Sequence, residues 1–178
     1  MRSISRSGAL LRPLVVEARS LVVLDGSHRL RALRALGASL APVALVGYET
    51  VKLDGWVRVY GPEALRDLRR VAEVSEVRYS SRGPIIAYLG GGDEAYYDLL
   101  RLEGMGHGLL RVVTRSHARG LFGEALLVVP PRPSKGLVLR AAESGRLLPP
   151  RSTRHITEAK LVRLRTPLSA LGVGIKEG

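Results

Sequence analysis

Residues 10–48 read LLRPLVVEARSLVVLDGSHRLRALRALGASLAPVALVGY, and along this stretch the hydrophobic pattern changes period twice. Two short apolar runs, Pro13–Val16 and Leu21–Leu24, flank the polar turn Glu17–Ser20, which is the pattern of two strands. After Asp25 the spacing becomes helical, with Leu30, Leu33 and Leu36 on one side and Gly37 placed as the residue that ends a helix. APVALVGYETV then returns to a buried-strand pattern. A chain that alternates in this way must cover a sheet with helices.

The remainder predicts the same mixture. PEALRDLRRVAEVS reads as a charged amphipathic helix opening at Pro62. GPIIAYLGGGDEAYYDLL reads as a hairpin turning at Gly90–Asp93, and LLRVVTRSHARGLFGEALLVV as a second pair of strands around Gly120–Gly123. PSKGLVLRAAESG predicts a helix with Ser134 as N-cap and Gly145 just past its end. The order β-β-α-β-α-β-β-β-β-α is that of an α+β fold with a mixed sheet, flanking helices and a C-terminal antiparallel hairpin and helix portion. The expected organisation is a core over residues 1–60 with the strand–turn–helix motif, and an α+β portion over residues 61–178, packed as one unit.

Composition narrows the classes. A hydrophobic fraction of 46% in 178 residues suffices for a folded core. No apolar run reaches the roughly 18 residues of a membrane span, and Arg2, Arg6 and Arg12 interrupt the N-terminus, so a cytoplasmic protein is expected. Without cysteine there can be no disulfide, zinc thiolate or thiol catalysis. Asparagine and glutamine are absent too, which fits a thermophile. The net charge of +12 is concentrated at the two ends: residues 1–34 carry seven arginines against two acids, and residues 132–165 nine basic against two acidic groups. That asymmetry suggests an anionic partner, although an arginine-rich surface can also be basic without one.

Two clusters can do chemistry. At the first strand–helix junction stand Asp25, Gly26, Ser27, His28 and Arg29. Gly26 lets the backbone turn sharply and approach a ligand. The first helical turn offers free N–H groups and the positive end of the dipole to a phosphate. His28 and Arg29 add charged donors. Asp25, an anion beside that site, makes sense as a metal ligand or as a carboxylate that holds a reacting hydroxyl. The simpler alternative is that Asp25 or Ser27 caps the helix. The second cluster is PPRSTRH, where Arg151, Ser152, Thr153, Arg154 and His155 supply diphosphate donors with no acid among them, or else form an ordinary surface loop. Gly90–Gly92 reads as a turn, no P-loop is present, and His107 and His117 read as surface residues. Trp56, the sole tryptophan, either walls a small-molecule pocket or packs in the core.

VLDGSHRLRALRALGASLAPVALVGY resembles the strand–helix–strand signature of the ParB/sulfiredoxin superfamily, with its Asp-Gly-His-His-Arg-like motif. PRPSKGLVLRAAESGRLLPPRSTRHIT and VKLDGW resemble the corresponding parts of the archaeal ADP-dependent free L-serine kinases, including a Pro-Lys-Thr-Thr-Arg-His motif. The resemblance spans nearly the whole chain. It implies phosphoryl transfer from ADP, or from ATP, to the hydroxyl of L-serine with Mg²⁺, giving O-phosphoserine for cysteine biosynthesis. By resemblance Asp25, His28 and Arg29 are catalytic. Gly26, Ser27, Arg151, Ser152, Thr153, Arg154 and His155 hold phosphates, with Ser27 in place of the usual first histidine. Trp56 lines the amino-acid pocket, and the metal ligands are left open. The family also carries a general-base glutamate in an N-terminal segment that this chain is expected to lack, and Glu17 is no substitute for it. The Asp25 turn and the Ser152–His155 loop are predicted to be neighbours in space. The alternatives are a ParB-like nucleotide-dependent DNA-binding protein and a non-catalytic nucleotide-binding homologue. Sulfiredoxin chemistry is excluded, since it needs a cysteine.

Overall fold

The computed structural model describes residues 7–118, 121 and 123–173. In chain order the elements are β1 (Ala9–Leu10), β2 (Leu14–Glu17), β3 (Val23–Asp25), α1 (Ser27–Ala35) and β4 (Val43–Val46). Next come β5 (Lys52–Gly55), β6 (Val57–Tyr60), α2 (Ala64–Val71), β7 (Val74–Arg78) and β8 (Ile85–Leu89). They are followed by α3 (Ala95–Gly104), β9 (Arg111–Val113), α4 (Arg115–Ala118), β10 (Leu126–Val129) and α5 (Lys135–Ser144). The last strands are β11 (Thr153–Ile156) and β12 (Thr166–Pro167). The fold is α+β with mixed sheets, as the order of periods predicts. Among the described residues no helix is long and apolar enough to cross a membrane.

Two compact units divide the chain at 52/53 and 154/155, where the sequence reading placed a division after residue 60. One unit holds Met1–Lys52 with His155–Gly178, and the other holds Leu53–Arg154. In the first, β2 is central, antiparallel to β3 and parallel to β4, and all four of its residues are buried. β1 pairs with β12, and Leu10, Leu33 and Leu171 close a small core with Ala38, Ala41 and Leu168 around them.

The second unit is a five-stranded sheet in the order β7-β8-β10-β6-β9, in which only β8 and β10 run parallel. Alternation sends Tyr60, Ala87, Leu89, Leu126 and Val128 to one face, where Leu68 of α2 and Leu99 and Leu102 of α3 cover them. Val57, Val59, Leu127 and Val129 form the core of the other face.

Two sequence expectations need correction here. The segment after Gly90 is helix α3 and not the second arm of a hairpin: Ala95, Leu99 and Leu102 fall at helical spacing and all three are buried. A short apolar run does not by itself distinguish the two periods. Likewise β9 and β10 do not pair with each other, because β6 lies between them. Of the turn predicted at Gly120–Gly123, Gly120 and Phe122 lie outside the described residues. The helix expected from Ser134 to Gly145 is present: Ser134 accepts from the Leu137 amide, and Gly145 takes φ +66°.

Candidate functional site

The first unit builds its site around the end of β3. An extra residue in β3, Leu24, shifts its register against β2, so that Val16 faces Val23 and Val15 faces Asp25. The next residue, Gly26, takes φ +100°, and a Cβ there would lie 2.8 Å from Cδ2 of Leu14. Only glycine fits this turn. It launches α1, which has no side-chain cap and no acidic residue in its first turn. Asp25 and Ser27 are therefore not caps, and the first-turn amides of α1 are left to other acceptors.

Arg29 reaches back one turn to Asp25, with Nη2 2.5 Å from Oδ2. Its Nη1 donates to the carbonyls of Pro13 and of Arg12. The other carboxylate oxygen of Asp25 lies 3.4 Å from the Nζ of Lys160. An anion, two cations and a helix start thus share one corner, while Ser27 and His28 stand exposed beside it.

His155 is 5% exposed, and its Nε2 lies 3.0 Å from the Tyr48 hydroxyl. Burial, with the Lys160 charge, pushes its pKa down to about 4, against the opposing effects of Asp25 and a hydrogen bond to the Leu24 backbone. The imidazole is neutral at neutral pH. A bond to Leu24 that favours protonation is one in which the ring N–H donates, so Nε2 accepts from Tyr48. Burial and the Glu17 charge push the Tyr48 hydroxyl up to about 12, which keeps it a donor. Glu17 itself accepts from the Arg19 and Ser20 amides and from the Ser20 hydroxyl, which hold its carboxyl below the usual range and tie it to the β2–β3 turn.

Of the residues singled out in the sequence, the structure gathers Asp25, Gly26, Arg29 and His155 in this unit. Sequence reasoning missed Lys160 and Tyr48. Each is a single residue outside any motif, and only the fold brings them to Asp25 and His155. In the second unit Arg154 lies over the Trp56 ring, 5.5 Å from its centroid. Ser152 is buried and donates to the Pro149 carbonyl at 2.6 Å. Arg151 is exposed and takes φ +58°. His107, read as a surface residue, instead pairs with Asp67 at 2.9 Å. Among the described residues no three His, Cys, Asp or Glu side chains are grouped to hold a metal. At the β3–α1 corner Asp25 is the carboxylate that a divalent cation would meet.

No family model matches the chain. A ParB-like protein of Sulfolobus acidocaldarius is 31% identical over 159 residues, spanning 86% of this chain and 77% of that one. Among solved structures, SbnI with a C-terminal truncation, from Staphylococcus aureus, superposes with a TM-score of 0.75 at 18% identity, covering 96% of this chain and 78% of that one. A mutant free serine kinase in complex with AMP gives 0.67 at 19% identity, covering 96% and 83%. Another mutant of a free serine kinase, in complex with ADP, gives 0.64 at 18% identity, with the same coverage. At these identities the likeness to solved structures is one of fold.

Proposed function

The chain belongs to the ParB-like proteins, and from that premise we propose that it is a phosphotransferase of the free-serine-kinase kind. It moves a phosphoryl group from ADP, or from ATP, to the hydroxyl of L-serine. The observation that supports this reading is the Asp25 carboxylate, held between Arg29 and Lys160 at an uncapped helix start. Its fold is shared with kinases whose structures hold ADP or AMP.

Phosphoryl transfer depends chiefly on positioning and charge stabilisation. As the serine Oγ–P bond forms, the bridging P–O bond to the leaving nucleotide breaks, and the hydroxyl proton passes to solvent. Asp25 orients the hydroxyl, and the α1 amides with His28 and Arg29 hold the transferring phosphate. Within the second unit, Arg151, Thr153 and Arg154 supply donors for phosphates. His155, buried and neutral, acts through the Leu24 backbone and so fixes the strand end that carries Asp25. Mg²⁺ would arrive on the phosphates and neutralise their charge, with Asp25 as the residue able to hold it.

The test is O-phosphoserine formation from L-serine with ADP or ATP and Mg²⁺, read by mass spectrometry. Asp25→Asn keeps the side chain's shape and removes its charge. It should cut product formation by about 10²-fold or more while nucleotide affinity stays within a few-fold. Undiminished turnover in the variant removes Asp25 from the chemistry, and no product from the native chain with either nucleotide overturns the kinase reading.

A further inference from the structure

All four residues of β6 are buried. Three of them, Val57, Val59 and Tyr60, are what a covered strand normally contains. The fourth, Arg58, is 1% exposed. A guanidinium in that position must lose its water, which is costly unless each donor finds a partner. Its Nε donates to the Tyr60 hydroxyl at 2.9 Å, and an Nη donates to Oε1 of Glu103 on α3. The Tyr60 hydroxyl donates to the same carboxylate oxygen at 2.9 Å. The remaining Nη reaches 3.0 Å to the carbonyl of Pro150. A buried network of this size is anchored to a loop, and that loop is PPRSTRH.

The loop needs such an anchor for a chemical reason. Pro149 and Pro150 have no N–H, so only their carbonyls can tie the entrance down. Both carbonyls are taken, Pro150 by Arg58 and Pro149 by the Ser152 hydroxyl. Between these two bonds stands Arg151 at φ +58°, a left-handed conformation that a branched or long side chain adopts only when its surroundings enforce it. Immediately after it come Thr153 and Arg154, with Arg154 over Trp56.

We propose that Arg58, oriented by Glu103 and Tyr60, is the positioning residue that holds the Pro149–Arg154 loop in its phosphate-binding shape. Arg58 touches no ligand itself; it acts through the Pro150 carbonyl. This proposal rests on the nucleotide reading given above, and its test separates the two.

Four proteins are compared: the native chain, Arg58→Met, Arg58→Lys, and Leu68→Ala as a truncation in the core that α2 covers. ADP affinity is measured by calorimetry at a temperature where all four are folded, and amide hydrogen exchange is followed in the peptide covering residues 149–154. A clamp predicts that Arg58→Met weakens ADP binding at least tenfold and speeds exchange in the loop. Arg58→Lys recovers part of both, and Leu68→Ala lowers the melting temperature while leaving ADP affinity and loop exchange unchanged. Should Arg58→Met collapse on purification, Glu103→Gln carries the same prediction with a smaller change in volume. ADP affinity in Arg58→Met within twofold of native overturns the proposal. If the native chain binds neither ADP nor ATP, the nucleotide reading falls. Loop exchange then decides whether the clamp exists: unchanged exchange in Arg58→Met overturns it, and faster exchange supports it.

Discussion

His155 illustrates how a residue's environment can change the role its type suggests. In the sequence it closes a run of phosphate donors, and a surface imidazole there would carry a useful fraction of positive charge. In the fold it is 5% exposed, bonded to Tyr48, and its pKa is pushed down to about 4 from the usual 6.5. The consequence for stability has a definite sign. Between pH 6.5 and about 4 the unfolded chain binds a proton at His155 that the folded chain does not. Stability is therefore intact above pH 6.5 and is lost as pH falls towards 4. The full effect is on the order of 3 kcal/mol. Denaturant unfolding across this range should show the slope in the native chain and lose His155's share of it in His155→Gln. Glu17, whose carboxyl is held low by Ser20 and Arg19, adds a further loss only below its own usual range, at more acid pH. An unchanged slope in His155→Gln would assign the pH dependence to other groups.

At the level of elements, the reading of the sequence succeeded where a local signal was unambiguous and failed where two periods fit equally well. The Gly26 turn and the helix that follows it were visible because Asp-Gly before a leucine-spaced run has few alternatives. The Ser134–Gly145 frame was visible because cap and stop residues bracket the helix. Helix α3 was missed because AYYDLL is short enough to be read either way, and only burial of Leu99 and Leu102 against the sheet decides it. The order β10-β6-β9 was out of reach for a different reason, since strand neighbours are set by the whole sheet and not by the loops between them. The side chains divide along the same line: Asp25, Gly26, Arg29 and His155 sit in recognisable motifs, whereas Lys160, Tyr48 and Arg58 meet their partners only through tertiary contacts. The two helix starts offer a clean comparison. Ser134 accepts from the Leu137 amide, so Ser134→Ala should lower stability by about 1 kcal/mol. No side chain caps α1, so Ser27→Ala should leave thermal unfolding within about 0.5 kcal/mol of native. Equal losses from both substitutions would mean that Ser27 caps α1 in solution.

For the molecule as a whole, the question is which anion its basic ends serve. Residues 1–34 and 132–165 hold the excess positive charge, and the same charge suits a nucleotide, whose phosphates need a few well-placed donors, or a duplex, whose phosphates need many. The two differ in salt dependence. A duplex contact that neutralises several phosphates releases counterions, and affinity falls with log salt at a slope near −0.9 per phosphate. A nucleotide held by a charged pocket and specific hydrogen bonds is far less sensitive. A ligand that binds only the folded chain stabilises it by about 2.7 kcal/mol at a hundredfold excess over its dissociation constant. For a chain of this length that is a rise of roughly 5–11 °C in melting temperature. ADP or ATP with Mg²⁺ should give such a rise in both low and physiological salt, and Arg154→Ala should lose most of it by removing a guanidinium from the phosphate loop. Duplex DNA should give a small rise confined to low salt. If instead DNA protects the native chain at physiological salt, and nucleotides leave the melting temperature where it was, the charge serves nucleic acid and the phosphotransferase reading gives way to a DNA-binding one.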